Sequence, residues 1–507
     1  MLEEILTSDE MKQCDLFTID KKGIPSRTLM ERAAEAVVAE IMKADLDISR
    51  VIFLCGGGNN GGDGFAAARF LSQRARENGI DSTIEIFFAG ENGKESTECA
   101  YQRKKALNSD IAEVLEPNIE GATLIVDAIF GIGLTRNIEG SLSTLIERVN
   151  NSKAKVVSVD IPSGINADTG AVMGIAIDAD MTVTIARKKT GLLLFPGAEK
   201  CGRLIKVDIG IDTEALGGKN SIFSSERIPF TMPKRSPASN KGDFGKILIV
   251  GGAENMAGAA YLSSLAAYRS GAGLVRIFTT EENRTILQTL IPEAVLITYC
   301  SDDDIPNLLI PYINDSDAIV IGPGLSKSSD ARSMLETVLK NASCPLIIDA
   351  DALNILSEKP TLWTLVGKNT VITPHMGEMS RLTGKSISYL KENAVKNAVE
   401  FAKEKGVICC MRDASTVISD GERVYISRSG CSALSKGGAG DVLTGIIASL
   451  SVSKKDIFKA SCMGTYLHGR AGTLAAEKLG EYSLLARDIA ENICEAIKES
   501  NSSHEKA

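Results

Sequence analysis

The chain alternates short apolar runs with longer amphipathic stretches, and this rhythm constrains its fold more than any other feature. In the first half the runs that predict strands are Val51–Cys55, Ile84–Ala89, Thr123–Asp127, Lys155–Asp160, Met181–Ala186 and Leu204–Asp208. Helical patterns lie between several of them, as in Leu142–Asn150, and a helix with Ser26 as its expected N-cap precedes the first run. Strands that alternate with helices form a parallel sheet covered on both faces. The first half therefore predicts a Rossmann-like, doubly wound α/β sheet.

The alternation of apolar and amphipathic stretches is interrupted once, near the middle of the chain. Residues 217–241 are rich in Ser, Pro and Lys without periodicity, which is typical of a linker and a following loop. The apolar runs then resume as KILIVGG, GLVRIFT, AIVIGPG, PLIIDAD, TVITPH and VICCMRD, and long helical patterns close the chain at Gly440–Leu450, Ile457–Leu479 and from about Ser483. At 507 residues the chain is too long for one core. We expect two different α/β domains, 1–215 and 235–507, joined by a linker at 216–234.

Charge and composition exclude several classes of function. The net charge is −9 and no long basic run occurs, which argues against a nucleic-acid partner. Neither a signal peptide nor an apolar run long enough to span a membrane is visible, so no membrane partner is expected. The 11 cysteines lack paired spacing and indicate small core residues in a reducing cytoplasm. With only His375, His468 and His504, a His/Cys zinc site is not expected.

The stretch CGGGNNGGDGF, Cys55–Phe65, joins a predicted strand to a predicted helix. Its glycines fit G-x-G-x-x-G, a pattern that lets a pyrophosphate approach a helix N-terminus, although the pattern alone is weak. No Gly-Lys-Ser/Thr follows, so a Walker-type phosphate loop is excluded. The alternative is a tight turn that binds no ligand.

Polar residues also follow two further predicted strands of the first half. Asp127 ends one strand, and Asp160 and Ser163 end another. Ligands of open parallel sheets bind beyond the carboxyl ends of the strands, so these side chains can converge with Asn59, Asn60 and Asp63. Amide, carboxylate and hydroxyl oxygens suit an alkali or alkaline-earth cation. For Asp127 and Asp160 the simpler alternative is a helix cap or a loop anchor.

These motifs carry a family resemblance. GGGNNGGDG, GIGLTRN and VDIPSGINADTG, with the later stretch Arg187–Gly202, resemble the NAD(P)HX epimerase family over nearly all of residues 1–215. The family interconverts the two C6 epimers of hydrated NADH and NADPH. The resemblance implies that Asn60, Asp127 and Ser163 bind a potassium ion and that Asp160 contacts the hydrated ring. It further implies dinucleotide contacts from Asn59, Asn60, Gly61, Gly62, Asp63, Gly131, Ile132, Gly133, Leu134, Thr135, Arg136 and Asn137.

An aspartate at position 160 fits that chemistry. Epimerisation at a carbon that bears both a hydroxyl and a ring nitrogen can proceed by ring opening or by loss of water. Both routes need proton transfer to or from oxygen, which a positioned carboxylate supplies. Asp160 is therefore the expected acid/base catalyst.

In the second half the most informative stretch is SKGGAGDVLTG, Ser435–Gly445, where a glycine cluster leads into a long helix at Asp441. Exposed amides and the positive end of a helix dipole form an anion site. A carboxylate on the first turn can act as a base toward a substrate hydroxyl while the amides stabilise a transferring phosphoryl group. The alternative for Asp441 is a simple helix cap.

This stretch resembles the ribokinase-like superfamily, and residues 235–500 resemble its ADP/ATP-dependent NAD(P)HX dehydratase branch. The supporting stretches are Lys241–Leu262, AYRSGAGLVRIFT, Ile321–Leu325, Ile347–Leu356 and Ile372–Leu382. The implied reaction returns NADH or NADPH from the hydrate at the expense of ADP, with Mg²⁺. The implied substrate contacts are Ala257, Gly324, His375 and Asp441, with Asp441 as catalytic base, and Gly440 would bind the nucleotide. A structural loop histidine is the alternative for His375.

The second half departs from this family at the nucleotide site. Where the family carries a Lys-Gly-Ala pattern before a Thr, this chain has MRDAST, so Arg412 replaces Lys and Asp413 replaces Gly. Arg412 can still contact phosphate, whereas Asp413 adds a like charge. We retain five residues of this segment as expected nucleotide contacts: Arg412, Asp413, Ala414, Ser415 and Thr416.

Together the halves predict a bifunctional repair enzyme, a homo-oligomer whose partners are small molecules. One alternative is a small-molecule kinase with a regulatory N-terminal domain, because GGAGD also occurs in sugar and vitamin kinases. Another alternative makes the first half a binding or scaffold module.

Overall fold

A computed structural model describes residues 3–91, 93–109, 111–217, 222–225, 232, 235–300, 302–453 and 456–505, with side chains up to Asn501. The chain forms two compact units. The first unit comprises Glu4–Asn220, and the second comprises Ser221–Ala507 together with Met1–Glu3. Most of the expected linker, 216–234, lies outside the described residues.

The first unit is built around a parallel sheet. Its elements are β1 (Glu3–Leu6), α1 (Ser8–Asp20), α2 (Ser26–Lys43), β2 (Arg50–Cys55), α3 (Asn59–Glu77), β3 (Thr83–Phe88), α4 (Thr97–Leu107), β4 (Ala112–Val114), β5 (Leu124–Ala128), α5 (Ser141–Asn150), β6 (Lys155–Val159), β7 (Met181–Ile185), β8 (Lys188–Lys189), α6 (Gly197–Lys200) and β9 (Arg203–Val207). The strands run in the order β4-β3-β2-β5-β6-β7-β9, and each neighbouring pair is parallel. Separately, β1 pairs in parallel with β8.

Helices cover both faces of this sheet, as the alternation predicts. On one face α2 and α3 bury Val37 and Phe65 against Phe53 of β2. On the other face α5 buries Ile146 against Ile125 of β5. The prediction of Ser26 as N-cap is wrong: Pro25 holds that position without a side-chain hydrogen bond, and Ser26 is the first residue of α2.

The second unit is a larger α/β layer structure. Its elements are β10 (Ile222–Ser224), β11 (Lys246–Val250), α7 (Ala257–Arg269), β12 (Leu274–Thr280), α8 (Arg284–Leu290), β13 (Val295–Tyr299), α9 (Ile305–Asn314), β14 (Ala318–Ile321), α10 (Ser329–Asn341), β15 (Leu346–Ile348), α11 (Ala350–Glu358), β16 (Thr370–Ile372), α12 (Met376–Thr383), α13 (Ile387–Glu392), α14 (Ala394–Lys405), β17 (Ile408–Met411), β18 (Thr416–Ser419), β19 (Val424–Ser427), α15 (Ala439–Ser453), α16 (Ile457–Leu479) and α17 (Ala486–Glu505). The sheet order is β13-β12-β11-β14-β15-β16-β17-β18-β19-β10.

Parallel pairing extends from β13 to β17, and β17-β18-β19 then form antiparallel hairpins. Both α15 and α16 are buried along most of their length, with Val442 and Leu467 in the core. β10 lies inside the stretch expected as a linker, and it pairs in parallel with β19. Its apolar residue Ile222 is buried in that pairing, which explains why so short a run becomes a strand.

All the strands predicted from apolar runs are present, so the α/β expectation for both halves is confirmed. The structure adds short strands such as β13, β18 and β19. Among the described residues no helix combines the length and apolarity that crossing a bilayer requires.

Candidate active sites

The glycine-rich turn of the first unit permits unusually close backbone packing. A Cβ at Gly61 would lie 1.8 Å from the carbonyl oxygen of Gly56, and one at Gly56 would lie 2.0 Å from that of Ile129. Only glycine fits there, because no backbone atom can retreat that far. Gly62 faces Met30 instead, so Gly61 and Gly62 serve packing, and α3 starts beside them at Asn59.

Asp127 ends β5 as a fully buried carboxylate bonded only to neutral donors. Its Oδ2 accepts hydrogen bonds of 2.8 Å from Ser158 Oγ and from the backbone N–H of Ser163. Its Oδ1 accepts a bond of 2.5 Å from Ser163 Oγ. Burial raises the pKa of Asp127, while the hydrogen bonds from Ser163 and Ser158 act in the opposite direction. Asp127 thus anchors the loop that follows β6.

Of the three residues expected to hold a cation, Asn60 and Ser163 contact the backbone of Phe130, and Asp127 is bonded to Ser163. Asn60 Nδ2 donates to the Phe130 carbonyl oxygen at 3.0 Å, and Ser163 Oγ lies 3.3 Å from the same oxygen. The Phe130 N–H donates to Ser163 Oγ at 2.8 Å. Carboxylate, hydroxyl and carbonyl oxygens are therefore brought together, a donor set that fits an alkali cation, while Asn60 contacts the cluster through its amide nitrogen. In the described part of the chain, no cluster of three His, Cys, Asp or Glu residues could hold a metal.

Asp160 follows β6 in a left-handed conformation, with φ of +66°. Its Oδ1 accepts hydrogen bonds from the backbone N–H of Ile185 at 2.9 Å and from Thr184 Oγ1 at 3.3 Å. The same oxygen forms a close ion pair with Lys189 Nζ. Asp160 Oδ2 accepts no hydrogen bond from a described residue, so this oxygen remains available to a ligand.

Lys189 is the main residue that sequence reasoning missed in this site. Its side chain is 1% exposed. Besides Asp160, Nζ donates to the Ile185 carbonyl at 2.9 Å and to Thr184 Oγ1 at 3.2 Å. The sequence signal for this residue lay in the stretch Arg187–Gly202. A lysine next to an apolar run is expected to be buried with that run and therefore to need a polar partner.

These groups surround a cavity of about 740 Å³. The expected site residues that line it are Asn59, Asn60, Asp63, Gly131, Ile132, Gly133, Leu134, Thr135, Arg136 and Asp160. Gly61, Gly62 and Asn137 are not in the lining, and Asp127 and Ser163 lie buried behind it. The lining also includes Asp15 and Lys189, which come from α1 and β8.

Two of the lining carboxylates titrate abnormally. Burial, followed by the charges of Asp160 and Asp15, raises the pKa of Asp63 well above its usual range. Burial also raises the pKa of Asp15 to about 6; Lys189 opposes that rise and Asp160 reinforces it. The cavity is therefore acidic and can hold a proton at neutral pH.

In the second unit, Asp441 lies on the first turn of α15, directly after the glycine cluster. Gly438 has φ of +89°, a conformation that favours glycine. Burial and then the charge of Asp349 raise the pKa of Asp441 to about 7; Arg412 opposes the rise, and Asp351 and Glu378 add to it. Asp441 is thus poised to take up or release a proton near neutral pH.

Arg412 connects the hairpin after β17 with the start of α15. Its Nη2 donates to Asp349 Oδ1 at 3.0 Å and lies 3.7 Å from Glu378 Oε2. A Cβ at Gly440 would lie 2.1 Å from Arg412 Nη1, so the guanidinium packs directly on that glycine. The structure therefore brings Arg412, Gly440 and Asp441 together.

The rest of the segment that follows Arg412 is placed differently. Asp413 and Ala414 are at the exposed tip of the hairpin, Ser415 is buried, and Thr416 begins β18. Asp413 forms an ion pair with Lys391 at 3.2 Å. The negative charge of Asp413, which the sequence predicted near the nucleotide, is therefore offset by Lys391 of α13.

His375 caps α12 and contacts Glu378. Its Nδ1 accepts a hydrogen bond of 2.9 Å from the Gly377 backbone N–H, while the backbone N–H of His375 donates to Glu378 Oε2 at 2.8 Å. Burial and the charge of Arg412 lower the pKa of His375, and burial raises the pKa of Glu378 to about 7. With 53% of its side chain exposed, the imidazole is a neutral group that a ligand can reach.

Ala257 and Gly324 follow two neighbouring strands, β11 and β14. Ala257 begins α7, and Gly324, with φ of +56°, leaves space for Met256 beside it. Helix α7 packs on α15, where Ser263 Oγ and Thr444 Oγ1 lie 2.8 Å apart. Ala257, Gly324, His375 and Asp441 thus all lie at the carboxyl-terminal side of one sheet.

Known proteins match both halves of the chain. The profile of the family described as NAD(P)H-hydrate dehydratase matches residues 247–495, and that described as YjeF-related protein N-terminus matches residues 26–191. A crystal structure of the ADP/ATP-dependent NAD(P)H-hydrate dehydratase of Bacillus subtilis, co-crystallised with ATP/Mg²⁺, is 29% identical with a TM-score of 0.46, and the match covers 53% of this chain and 95% of that chain.

Two relatives match along nearly the whole chain. The bifunctional NAD(P)H-hydrate repair enzyme Nnr of Escherichia coli (strain K12) is 35% identical over 95% of this chain and 92% of its own length. The enzyme of the same name from Moorella thermoacetica is 33% identical over 96% of this chain and 95% of its own length. The chain belongs to the family of bifunctional NAD(P)H-hydrate repair enzymes.

Proposed function

We propose that this chain repairs hydrated nicotinamide dinucleotides in two steps. The first unit interconverts the R and S epimers of NADHX and NADPHX, and the second dehydrates the S epimer to NADH or NADPH while ADP becomes AMP and phosphate. The observation that carries the proposal is that one chain holds both an Asp160–Lys189 ion pair in a large cavity and, at a glycine-lined helix start, Asp441 beside a glycine on which Arg412 packs.

In the epimerase site, Asp160 Oδ2 is the oxygen that faces the substrate. Lys189, Thr184 and Ile185 hold Oδ1, so the carboxylate keeps a fixed orientation. Oδ2 can then accept a proton from the C6 hydroxyl or from an attacking water, as either route of epimerisation requires. The loop 131–136 and the start of α3 would hold the dinucleotide, with backbone N–H groups near its phosphates.

A potassium ion would be held by Asn60, Asp127, Ser163 and the Phe130 carbonyl. The oxygen donor set supports this assignment, as does the buried charge of Asp127, whose hydrogen-bond donors are all neutral. The bound ion would offset the buried negative charge of Asp127.

In the dehydratase site, Asp441 would take the proton of the C6 hydroxyl as that oxygen attacks the terminal phosphoryl group of ADP. The P–O bond to AMP breaks in the same step. Phosphate then leaves C6 with the bonding electron pair, a proton is lost from C5, and the C5–C6 double bond forms. Phosphorylation makes this elimination feasible because phosphate is a far better leaving group than hydroxide.

The remaining residues would bind the two substrates of that step. Arg412, Gly440 and the segment Asp413–Thr416 would contact the nucleotide, whose phosphates would bring Mg²⁺. Ala257, Gly324 and neutral His375 would contact the hydrated dinucleotide. ADP rather than ATP as donor, a homo-oligomeric state and a cytoplasmic location remain predictions; the eleven free cysteines suit a reducing compartment.

The test is recovery of the reduced-nicotinamide absorbance near 340 nm from a mixture of both epimers, with ADP and with ATP. We expect complete recovery with ADP, and recovery of only the S fraction from an Asp160→Asn variant. A stable phosphorylated product without recovery would instead identify a kinase. If the wild-type chain consumes only the S epimer and leaves the R epimer unchanged, the first unit is a binding module.

A further inference from the structure

A chain of polar side chains joins three neighbouring strand ends of the second unit. Strands β14, β15 and β16 lie side by side. Ser326 follows β14, Asp351 and Asn354 lie on α11 after β15, and Arg381 lies on α12 after β16. Ligands of parallel sheets bind beyond the carboxyl ends of the strands, so these side chains border the region where His375 lies.

Hydrogen bonds of defined direction connect these residues. Asp351 Oδ2 accepts a bond of 2.8 Å from the backbone N–H of Ser326. Asn354 Nδ2 donates to Asp351 Oδ1 at 3.4 Å, and Asn354 Oδ1 accepts a bond of 2.8 Å from Arg381 Nε. Because its nitrogen is turned toward a carboxylate, the Asn354 amide presents its oxygen to Arg381. The loop that carries Gly324 and the Arg381 side chain are therefore held in a fixed relation.

The Arg381 guanidinium lies beside the His375 imidazole. Gly377, in the first turn of α12, separates the two groups: a Cβ there would lie 2.8 Å from His375 Cε1 and 3.7 Å from Arg381 Nη1. The charge of Arg381 also contributes, after burial and Arg412, to the lowered pKa of His375. Both side chains are exposed, so Arg381 and His375 belong to one ligand-facing surface.

Arg381 differs from Arg412 in its partners. The Arg412 guanidinium is bonded to the buried carboxylate of Asp349 at 3.0 Å and packs on Gly440. The Arg381 guanidinium is bonded to a neutral amide, and neither of its terminal nitrogens has a hydrogen bond or an ion pair with any residue that the structure describes. Its charge and the N–H groups of Nη1 and Nη2 therefore remain available, the geometry that binds a phosphate through two parallel hydrogen bonds.

The charge of the site creates a need for such a group. Three acids act through their charge on Asp441: Asp349, Asp351 and Glu378. The hydrated dinucleotide carries a pyrophosphate, and NADPHX carries a further phosphate. Because Arg412 is already paired with an acid, an anionic substrate on the side of His375 needs a second cation.

We propose that Arg381 binds a phosphate group of the hydrated dinucleotide in the dehydratase site, with Asn354 as its positioning residue. The inference rests on the dehydratase function proposed above and adds a substrate contact to it. Asn354 holds Nε, so the other edge of the guanidinium keeps one orientation toward the substrate.

The experiment compares full-length Arg381→Met, Arg381→Lys and Asn354→Ala with wild type. Arg269→Met is the matched control, because it removes an exposed arginine from the last residue of α7, on the amino-terminal side of the same sheet. Recovery of the absorbance near 340 nm gives kcat and KM for (S)-NADHX and for (S)-NADPHX at saturating ADP. The KM for ADP is measured at saturating hydrate.

We expect Arg381→Met to raise the KM for the hydrate about 10- to 100-fold, while kcat and the KM for ADP change less than about threefold. Arg381→Lys should keep part of the affinity, because lysine supplies the charge without the fork. Asn354→Ala should raise the KM for the hydrate about three- to tenfold, and Arg269→Met should leave it unchanged. The hydrate KM of wild type should rise with salt more steeply than that of Arg381→Met. An equal effect on both hydrates assigns the pyrophosphate, and a larger effect on (S)-NADPHX assigns its 2′-phosphate.

The outcomes separate this inference from the function on which it rests. A wild-type chain that recovers no absorbance from the pure S epimer refutes the proposed dehydratase itself. Dehydration by wild type with an unchanged hydrate KM in Arg381→Met, or with an increase only in the KM for ADP, refutes the phosphate contact alone. Thermal unfolding shows whether each variant is folded. If Arg381→Met is not, Arg381→Lys decides, and an unchanged hydrate KM in that variant refutes the contact.

Discussion

The two sites place an aspartate for proton transfer in opposite electrostatic settings. Asp160 is held by an ammonium and two neutral donors on one oxygen, which fixes the carboxylate in place. Asp441 faces Asp349, Asp351 and Glu378, with Arg412 as the opposing charge, and its pKa rises to about 7. The difference teaches that one chain can prepare a carboxylate either by direct contact with a cation or by crowding it with other acids.

The largest expected effect tests whether the sites act independently. Asp441→Asn should lower the dehydratase rate about 10²- to 10⁴-fold and leave epimerisation unchanged, because it removes only the second site's base. Asp160→Asn should lower the epimerisation rate and leave the dehydratase rate unchanged. Both rates are measured on each full-length variant by the absorbance and NMR assays. A loss of both activities in either variant would show that the comparison of two separate sites is wrong.

The next effect concerns stability at the ion pair. Asp160→Asn leaves the buried Lys189 without its counter-charge, which should destabilise the first unit by about 3–5 kcal/mol. Adding Lys189→Met should restore most of that stability, but not epimerisation, because it removes the buried charge that has lost its partner. Thermal and urea unfolding measure both. Asp441→Asn is the comparison, and it should leave stability nearly unchanged or raise it, because Asp441 has mostly acidic neighbours.

A smaller effect tests the crowding of Asp441. A base acts in its ionised form, so the dehydratase rate should rise with pH through about 7. Asp351→Asn removes one of the like charges, and the rise should therefore move to lower pH by a fraction of a unit. The pH profile of kcat with saturating ADP measures this. Asp330→Asn, on the first turn of α10, is the control, and an unmoved profile in Asp351→Asn would contradict the crowding.

The smallest effect lies at the tip of the hairpin after β17. Asp413→Gly should lower the KM for ADP by less than about fivefold, because exposed pairs such as Asp413–Lys391 are worth little. Lys391→Met should raise that KM by a similar factor, since it leaves the charge of Asp413 uncompensated. Steady-state kinetics with ADP as the varied substrate separate the two directions. An increase in KM for Asp413→Gly would mean that Asp413 itself contacts the nucleotide complex.

The sequence predicted the order of strands and helices and the polar residues at the strand ends. Both depend on local signals, namely the periodicity of apolar residues and the glycine-rich turns. It did not predict Lys189 or Asp15 as members of the site, since β8 and α1 reach the cavity only through tertiary packing. The hairpin β18-β19 was missed although Asp420-Gly421 between two β-branched runs is a turn signal, with φ of +93° at Gly421. Ser26 was assigned as a cap because serine is common there, but Pro25 already provides the extended conformation that ends the preceding turn.

The left-handed backbone at Asp160 limits which amino acids can ever occupy that position. Asparagine and glycine tolerate φ near +66°, whereas valine or isoleucine would strain the chain at the end of β6. Laboratory evolution that starts from this scaffold could therefore use only a few amino acids at position 160. A new chemistry would have to take its functional group from another residue around the cavity.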